Sequence, residues 1–182
     1  MAYVQGEDLE YAWSGLSTDQ IDSIFADLKQ HISSLRELQP PAQGVVSSAL
    51  QNPAYDCRIG NRFFGPMTHD EFHSLTLFAH ADLSPRNIIV KGGRIVAILD
   101  WAFAGWYPEY WDFTRAHYNL FFDQDRWEEY LRLVMPCYEM ELTAERILWD
   151  RLPEPAWLQA RAGRQLADLW TLALRRERYV VD

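Results

Sequence analysis

The residues whose types and spacing could support chemistry lie near the middle of the chain and are Asp82, Asn87 and Asp100. Carboxylate and amide oxygens are ligands that Mg²⁺ accepts, at about 2.0–2.1 Å. Asn87 and Asp100 could each give one oxygen to a single Mg²⁺ if they share one face of the local structure. Asp82 precedes Asn87 by five residues, on a segment that Pro85 keeps from becoming helical, and could accept the proton of an attacking hydroxyl. The pattern favours phosphoryl transfer, in which Mg²⁺ neutralises charge on the phosphate oxygens.

A β-hairpin is predicted to bring Asn87 and Asp100 together. The segment 88–99 is rich in β-branched residues and is interrupted by a glycine-containing turn at 91–94, which is typical of a hairpin. With that turn, Asn87 would face Ile98 on the opposite strand. Asn87 and Asp100 would then be diagonal neighbours on one face, with Cα atoms roughly 7–8 Å apart.

A long amphipathic helix is predicted in the first quarter of the chain. Ser17 and Gln20 have the spacing of a capping box. Apolar residues then recur every three or four positions from Ile21 to Leu38, which is the period of one helix face. The helix should end before Pro40, since proline cannot donate a backbone N–H and restricts the residue before it.

The other elements are predicted from composition and apolar spacing. Residues 40–68 are rich in Pro, Gly, Ser and Asn and are predicted to form a loop. Thr68 and Glu71 have the spacing of a second capping box, on a short helix. Further helices are predicted at 111–121, 126–135, 143–149 and about 155–179.

Length and charge restrict the classes of function. The chain has 182 residues and a mass of 21.3 kDa, which fits one domain or one large lobe. Its formal net charge is −9, so neither nucleic acid nor an anionic membrane is an expected partner. An acidic, polar N-terminus and the lack of an apolar run of about 18 residues predict neither a secretory signal nor a membrane span. Two cysteines are too few for a disulfide scaffold, and we predict a cytoplasmic protein.

The spacing of these residues resembles that of a known family. Two motifs resemble the catalytic loop and the metal-binding segment of the aminoglycoside phosphotransferase family, which is related to protein kinases and choline kinases: His80-x-Asp82-x-x-x-x-Asn87 and Ile98-Leu99-Asp100-Trp101. Residues 104–112 are similar to fungal-type members of that family. Residues 1–13 resemble its hinge strand and the helix that follows.

The resemblance implies a fold, a reaction and a set of site residues. The fold would be the C-terminal lobe of a protein-kinase-like protein, in the α+β class but mainly helical, with the hairpin carrying the metal site. The reaction would transfer the γ-phosphate of ATP, with Mg²⁺ as cofactor, to the hydroxyl of a small-molecule alcohol or amino-alcohol. The implied residues are Asp82 as catalytic base, His80 as support of its loop, Asn87 and Asp100 as Mg²⁺ ligands, Asp112 as a brace from a helix below, and the backbone of Ala2, Tyr3 and Val4 facing adenine.

The resemblance covers residues 1–182 as one domain that comprises the hinge and the C-terminal lobe, truncated at its N-terminus. The N-terminal lobe, which we expect to be absent, supplies a glycine-rich loop and a strand lysine in such kinases. Neither lysine of the chain fits that role, because Lys29 lies on a predicted helix and Lys91 at a hairpin turn. Activity of the chain alone therefore stays open. The alternatives are a non-catalytic, pseudokinase-like binding module and a fragment of a longer kinase, with self-association or binding to the missing lobe as the expected partnership.

Two histidines offer a different hypothesis. His69 and His73 are four residues apart on a predicted helix, and such a pair can share one zinc ion in a metalloprotease. That motif requires a glutamate directly after the first histidine, whereas Asp70 stands there. We therefore reject the zinc interpretation.

Aromatic side chains cluster next to the predicted metal-binding segment. They could stack on a cationic substrate, but core packing is their predicted role. The group comprises Trp101, Trp106, Tyr107, Tyr110 and Trp111.

Overall fold

The computed structural model describes residues 4–42, 45–55, 63–64, 66–68, 76–118 and 121–149. The chain divides into two compact units, residues 1–145 and 146–182. The second unit is described only at 146–149, the end of the last described helix. The fold below is therefore that of the first unit, in which helices and antiparallel sheets form the predicted α+β arrangement.

Five α-helices are present in the described part of the chain: α1 (Leu9–Ala12), α2 (Thr18–Arg36), α3 (Trp111–His117), α4 (Gln124–Val134) and α5 (Glu139–Trp149). The predicted helices at 111–121, 126–135 and 143–149 are thus confirmed in position, with shifted ends. The predicted helix at 155–179 lies outside the described residues. Thr68 belongs to a strand instead of capping a helix, and Glu71 lies outside the described residues.

The long helix α2 forms as its sequence predicts. Ser17 Oγ accepts the backbone N–H of Gln20 at 3.3 Å, and Gln20 Oε1 accepts that of Ser17 at 2.9 Å, so the capping box is confirmed. The apolar stripe is buried at Ile21, Ile24, Phe25, Leu28 and Ile32. Within this core Phe25 stacks on Tyr130 of α4, with ring centroids 4.5 Å apart, which joins α2 to α4.

Nine strands form three antiparallel sheets in the described residues: β1 (Glu7–Asp8), β2 (Val45–Ser48), β3 (Ala54–Tyr55), β4 (Phe63–Phe64), β5 (Met67–Thr68), β6 (Thr76–Ala79), β7 (Ile88–Lys91), β8 (Arg94–Ile98) and β9 (Gly105–Pro108). Their orders are β1-β7-β8, β5-β2-β9-β6 and β3-β4. The prediction of a loop across 40–68 is wrong where β2 to β5 form. These strands have two to four residues each, which is too short for alternation of apolar and polar residues to reveal them.

Strand β9 lies in the centre of the four-stranded sheet, where it pairs with both β2 and β6. All four of its residues are buried. Gly105 opens the strand, and a Cβ there would lie 2.8 Å from Ser48 Cα and closer still to the carbonyl oxygen of Ser47. Only glycine allows β2 and β9 to approach this closely.

Gly105→Ala is expected to lower the free energy of unfolding by about 1–3 kcal/mol, because the added methyl group meets backbone atoms that move only if the strands separate. Urea unfolding followed by circular dichroism measures this change. Gly15→Ala is the matched control, since a Cβ at Gly15 meets nothing within 4 Å. Equal midpoints for the two variants would contradict the proposed close approach.

The hairpin β7–β8 has the predicted turn but a different register at its open end. Lys91 pairs with Arg94, as predicted, around two glycines with positive φ. A β-bulge then shifts the ladder, so that Ile88 pairs with Ile98. The predicted pairing of Asn87 with Ile98 is therefore wrong, because the bulge places one extra β8 residue against β7. The diagonal placement of Asn87 and Asp100 on one face, which depends on that pairing, does not follow from the observed register.

The hairpin is fixed to α2 by Asp27. Its carboxylate accepts hydrogen bonds from Arg94 Nε at 2.8 Å, from an Arg94 Nη at 2.7 Å and from the backbone N–H of Ile95 at 3.1 Å. The hydrogen bond from Arg94 lowers the pKa of Asp27 below its usual value, although partial burial opposes this shift. The folded state therefore favours the ionised carboxylate.

This lowered pKa has a consequence for stability at acid pH. The contribution of Asp27 is present above its unfolded pKa, near 4, and is lost as the pH falls through the lower folded pKa. Wild type should thus lose more stability between about pH 6 and pH 2 than Asp27→Asn, measured as unfolding free energy at each pH. The difference should be small and salt-sensitive, since Arg94 is largely exposed.

Arg94→Gln should reduce the same slope, because it removes the partner of Asp27. Parallel pH curves for wild type and both variants would contradict this assignment.

The aromatic group beside the hairpin mainly packs in the core, as predicted. Trp106, Tyr107 and Trp111 are buried, and the rings of Tyr107 and Trp111 stack with centroids 5.0 Å apart. Trp101 differs, since it is 41% exposed. In the part of the chain that the structure describes, no helix is long and apolar enough to cross a membrane.

Candidate functional site

The candidate site is built on the segment between β6 and β7, where three predicted site residues are buried. His80, Asp82 and Asn87 are 1%, 5% and 6% exposed. Buried polar side chains are costly unless they are hydrogen-bonded. Their partners therefore define how the segment is held.

His80 links this segment to the end of β8. The Leu99 carbonyl can only accept, so His80 Nε2 donates to it, at 2.8 Å. The other ring nitrogen, Nδ1, then accepts the backbone N–H of Asp82 at 3.2 Å. The ring also lies against Trp101, with centroids 4.6 Å apart. Both ring nitrogens thus bind backbone groups, one at Leu99 after β8 and one at Asp82.

Asp112 holds the same segment from the first turn of α3. Its Oδ2 accepts the backbone N–H of His80 at 3.2 Å, and its Oδ1 accepts that of Ala81 at 2.9 Å. Ala81 has φ 61°, a left-handed conformation that costs energy for a residue with a Cβ. The two hydrogen bonds compensate for part of this strain and fix the backbone directly before Asp82.

Asn87 contacts Asp82 through one side of its amide. Nδ2 donates to the Asp82 carbonyl at 2.8 Å and to Asp82 Oδ2 at 3.1 Å. Among the described residues nothing donates to Asn87 Oδ1. Because Nδ2 is held at two points, the position of Oδ1 is fixed as well, and this oxygen can serve as a ligand.

Two arginines at Asp82 were not predicted from the sequence. Arg115 on α3 is 5% exposed and donates to Asp82 Oδ1 at 2.9 Å and to the Ala81 carbonyl at 3.1 Å. Arg86 donates to Asp82 Oδ2 at 2.8 Å. The available signal for Arg115 was its spacing, three residues after Asp112 on one helix, since such residues share a face.

Asp100 lies at the edge of this group. It is exposed and has left-handed backbone angles, φ 59° and ψ 60°. Its neighbour Leu99 donates its N–H to the Asn87 carbonyl at 2.7 Å, so the backbone brings Asp100 close to Asn87. The described residues offer the Asp100 carboxylate no hydrogen bond or ion pair.

The predicted adenine-facing segment is described only at its last residue. Val4 is partly buried and precedes β1, which pairs with β7. Ala2 and Tyr3 lie outside the described residues, so a contact there stays a prediction. His69 and His73 also lie outside them.

The donor set at the site fits Mg²⁺ in part. Asn87 Oδ1 is an amide oxygen without a hydrogen bond in the described structure, and Asp100 offers an exposed carboxylate. Both are hard oxygen donors of the kind that Mg²⁺ prefers. No group of three or more His, Cys, Asp or Glu residues that could hold a metal occurs in the described residues. A metal here would thus take its other ligands from phosphate oxygens and water, as is usual for Mg²⁺ in phosphoryl-transfer sites.

The segment that carries this site is similar to a known protein family. The model of a phosphotransferase enzyme family, APH, matches residues 68–152. The match contains the whole hydrogen-bonded group around Asp82, including both arginines. No curated protein matches the chain.

Proposed function

We propose, on the premise that residues 68–152 belong to the phosphotransferase enzyme family, that this chain is a phosphotransferase-type domain that transfers the γ-phosphate of ATP to the hydroxyl of a small-molecule alcohol or amino-alcohol. The observation that carries the proposal is the contact between Asp82 and Asn87. One amide holds the carbonyl and the carboxylate of Asp82 at 2.8 and 3.1 Å. This arrangement fixes a carboxylate directly beside a candidate metal ligand.

In the proposed reaction Asp82 acts as the general base. It accepts the proton of the acceptor hydroxyl as the oxygen forms a bond to the γ-phosphorus. The bond between that phosphorus and the bridging oxygen breaks, and its electron pair leaves with ADP. Asn87 Oδ1 and the Asp100 carboxylate would hold Mg²⁺, which neutralises charge on the phosphate oxygens when bound.

The remaining residues act by positioning the base. Asp112 accepts the backbone N–H groups of His80 and Ala81, and the His80 ring accepts that of Asp82. Together these contacts set the direction in which the Asp82 side chain leaves the backbone. Misplacement of a catalytic group by about 1 Å can lower a rate roughly 10²-fold. We also assign the adenine contact to the backbone at Ala2, Tyr3 and Val4.

A transfer assay tests the proposed function. The full chain is incubated with Mg²⁺ and γ-labelled ATP across a panel of aminoglycosides, choline, ethanolamine and neutral alcohols. We expect label to appear in at least one alcohol, and to stop appearing when Mg²⁺ is chelated. Reactions without acceptor measure hydrolysis by water. A folded chain that labels no member of the panel would overturn the proposal.

A further inference from the structure

The second arginine at Asp82 has no role in the reaction as described above. Arg86 and Arg115 both donate to the Asp82 carboxylate, at 2.8 and 2.9 Å. One arginine is enough to balance the charge of one carboxylate. Arg86 and Arg115 can therefore have different roles, and the contacts around them differ.

Arg115 is held in place by several backbone and ring contacts. It is 5% exposed. Besides Asp82 Oδ1, it binds the Ala81 carbonyl at 3.1 Å and the Tyr118 carbonyl at 3.4 Å, and it lies over the Tyr118 ring at 5.4 Å. Moving it would break all of these contacts at once. Arg115 is thus the fixed partner of the carboxylate.

Arg86 is the more solvent-exposed of the two arginines that bind this carboxylate. Its side chain is 30% exposed, against 5% for that of Arg115. It belongs to the short 3₁₀ turn Pro85–Asn87. A long, partly exposed side chain on a short turn can reorient without unpacking the core.

The hydrogen bonds to Asp82 Oδ2 indicate which donor an incoming acceptor hydroxyl can displace. A carboxylate oxygen has two lone-pair sites, and at Oδ2 both are filled, by Arg86 at 2.8 Å and by Asn87 Nδ2 at 3.1 Å. Asn87 is also bound to the Asp82 carbonyl and is buried. Arg86 is the more exposed of the two donors, so an acceptor hydroxyl that approaches Oδ2 can displace Arg86 more easily than the buried Asn87.

We propose that Arg86 is a mobile phosphate contact, which rests on Asp82 Oδ2 and moves to phosphate oxygens when they enter the site. The guanidinium fork matches phosphate oxygens as well as carboxylate oxygens. Its departure frees one lone pair of Oδ2 for the acceptor hydroxyl, a consequence that rests on the proposed function. Phosphate binding and release of the base are thus two results of one side-chain movement.

Inorganic pyrophosphate is the probe that tests this exchange without nucleotide or metal. Binding to the full chain is measured by titration calorimetry at one low ionic strength, because salt screens exposed charges. Arg86→Gln should bind pyrophosphate roughly tenfold or more weakly, since a charge-assisted hydrogen bond is lost. Arg94→Gln is the matched control, which removes an exposed arginine that binds another carboxylate, and should change the affinity little.

Asp82→Asn supplies the decisive comparison. Removing the competing carboxylate should tighten pyrophosphate binding about threefold or more relative to wild type. The double variant Asp82→Asn/Arg86→Gln should lose that gain in affinity. Asp27→Asn, which removes one negative charge elsewhere, should give a smaller gain. If Asp82→Asn does not fold, judged by near-ultraviolet circular dichroism, Arg86→Gln and Arg94→Gln decide the question.

The outcomes separate this inference from the proposed function. If wild type and Arg86→Gln bind pyrophosphate equally, or if neither wild type nor Asp82→Asn binds it, the inference is overturned, whatever the transfer assay shows. If binding depends on Arg86 but no alcohol is labelled, Arg86 remains a phosphate contact and the proposed function fails. If an alcohol is labelled while wild type and Arg86→Gln bind pyrophosphate equally, the proposed function is supported and the proposed movement of Arg86 is overturned.

Discussion

Asp82→Asn is expected to lower the rate of phosphoryl transfer by about 10²- to 10⁴-fold, the usual contribution of a general base. The amide keeps the shape of the side chain but cannot accept the proton of the acceptor hydroxyl. The loss should appear in kcat, because Asp82 acts on the reacting hydroxyl. The KM for ATP should not rise, since removal of the carboxylate that competes for Arg86 is expected to tighten phosphate binding. The measurement is the initial rate of label transfer at saturating ATP, with kcat and KM determined separately.

Asp27→Asn is the control for this prediction. Asp27 is also a carboxylate paired with an arginine, but its partners Arg94 and Ile95 belong to the outer strand of the hairpin. Its substitution should leave kcat unchanged. Transfer that continues at the wild-type rate in Asp82→Asn would show that another group accepts the proton.

Asp112→Ala should destabilise the fold more than any other single change discussed for this chain. It leaves the buried N–H groups of His80 and Ala81 without an acceptor. Each unsatisfied buried donor costs about 1–3 kcal/mol, so the free energy of unfolding should fall by roughly 2–6 kcal/mol. Since small domains are stable by only about 5–15 kcal/mol, the variant will be close to unfolded at elevated temperature. Urea unfolding at 25 °C measures the loss.

Asp8→Ala is the matched control for Asp112→Ala. Asp8 also accepts a backbone N–H, that of Tyr11 at 2.8 Å, but at the exposed start of α1. Loss of such a cap costs about 0.5–2 kcal/mol. Equal losses in the two variants would mean that the contacts of Asp112 are worth no more than an exposed helix cap.

The sequence predicted the elements whose pattern is local. Helix α2 follows from a capping box and a long apolar stripe, and the β7–β8 turn follows from Gly92 and Gly93, which both have positive φ. The open end of the hairpin could not be predicted, because a bulge depends on packing around the strands and leaves no local signature here. The pairing of β2 with β9 joins segments far apart in sequence, and two to four residues carry too little pattern to indicate it.

The site residues also divide into those that are close in sequence and those that only the tertiary fold brings together. Asp82 and Asn87 lie on one short segment, and their hydrogen bonds agree with the spacing that suggested a joint role. Arg115 lies on helix α3, which follows Asp82 only after three strands, β7, β8 and β9, so its contact with Asp82 depends on the tertiary fold. The roles assigned to the site residues stay predictions until the variants are measured.

Helix α3 carries both Asp112 and Arg115, and all seven of its residues are buried. Trp127 of α4 also donates to its Ala116 carbonyl at 3.0 Å. The N–H groups of His80 and Ala81 can therefore meet solvent only when α3 leaves the core. Hydrogen exchange at these two amides should be as slow as exchange in the core itself, since both require the same opening. The candidate site and the hydrophobic core would then open and close as one cooperative unit.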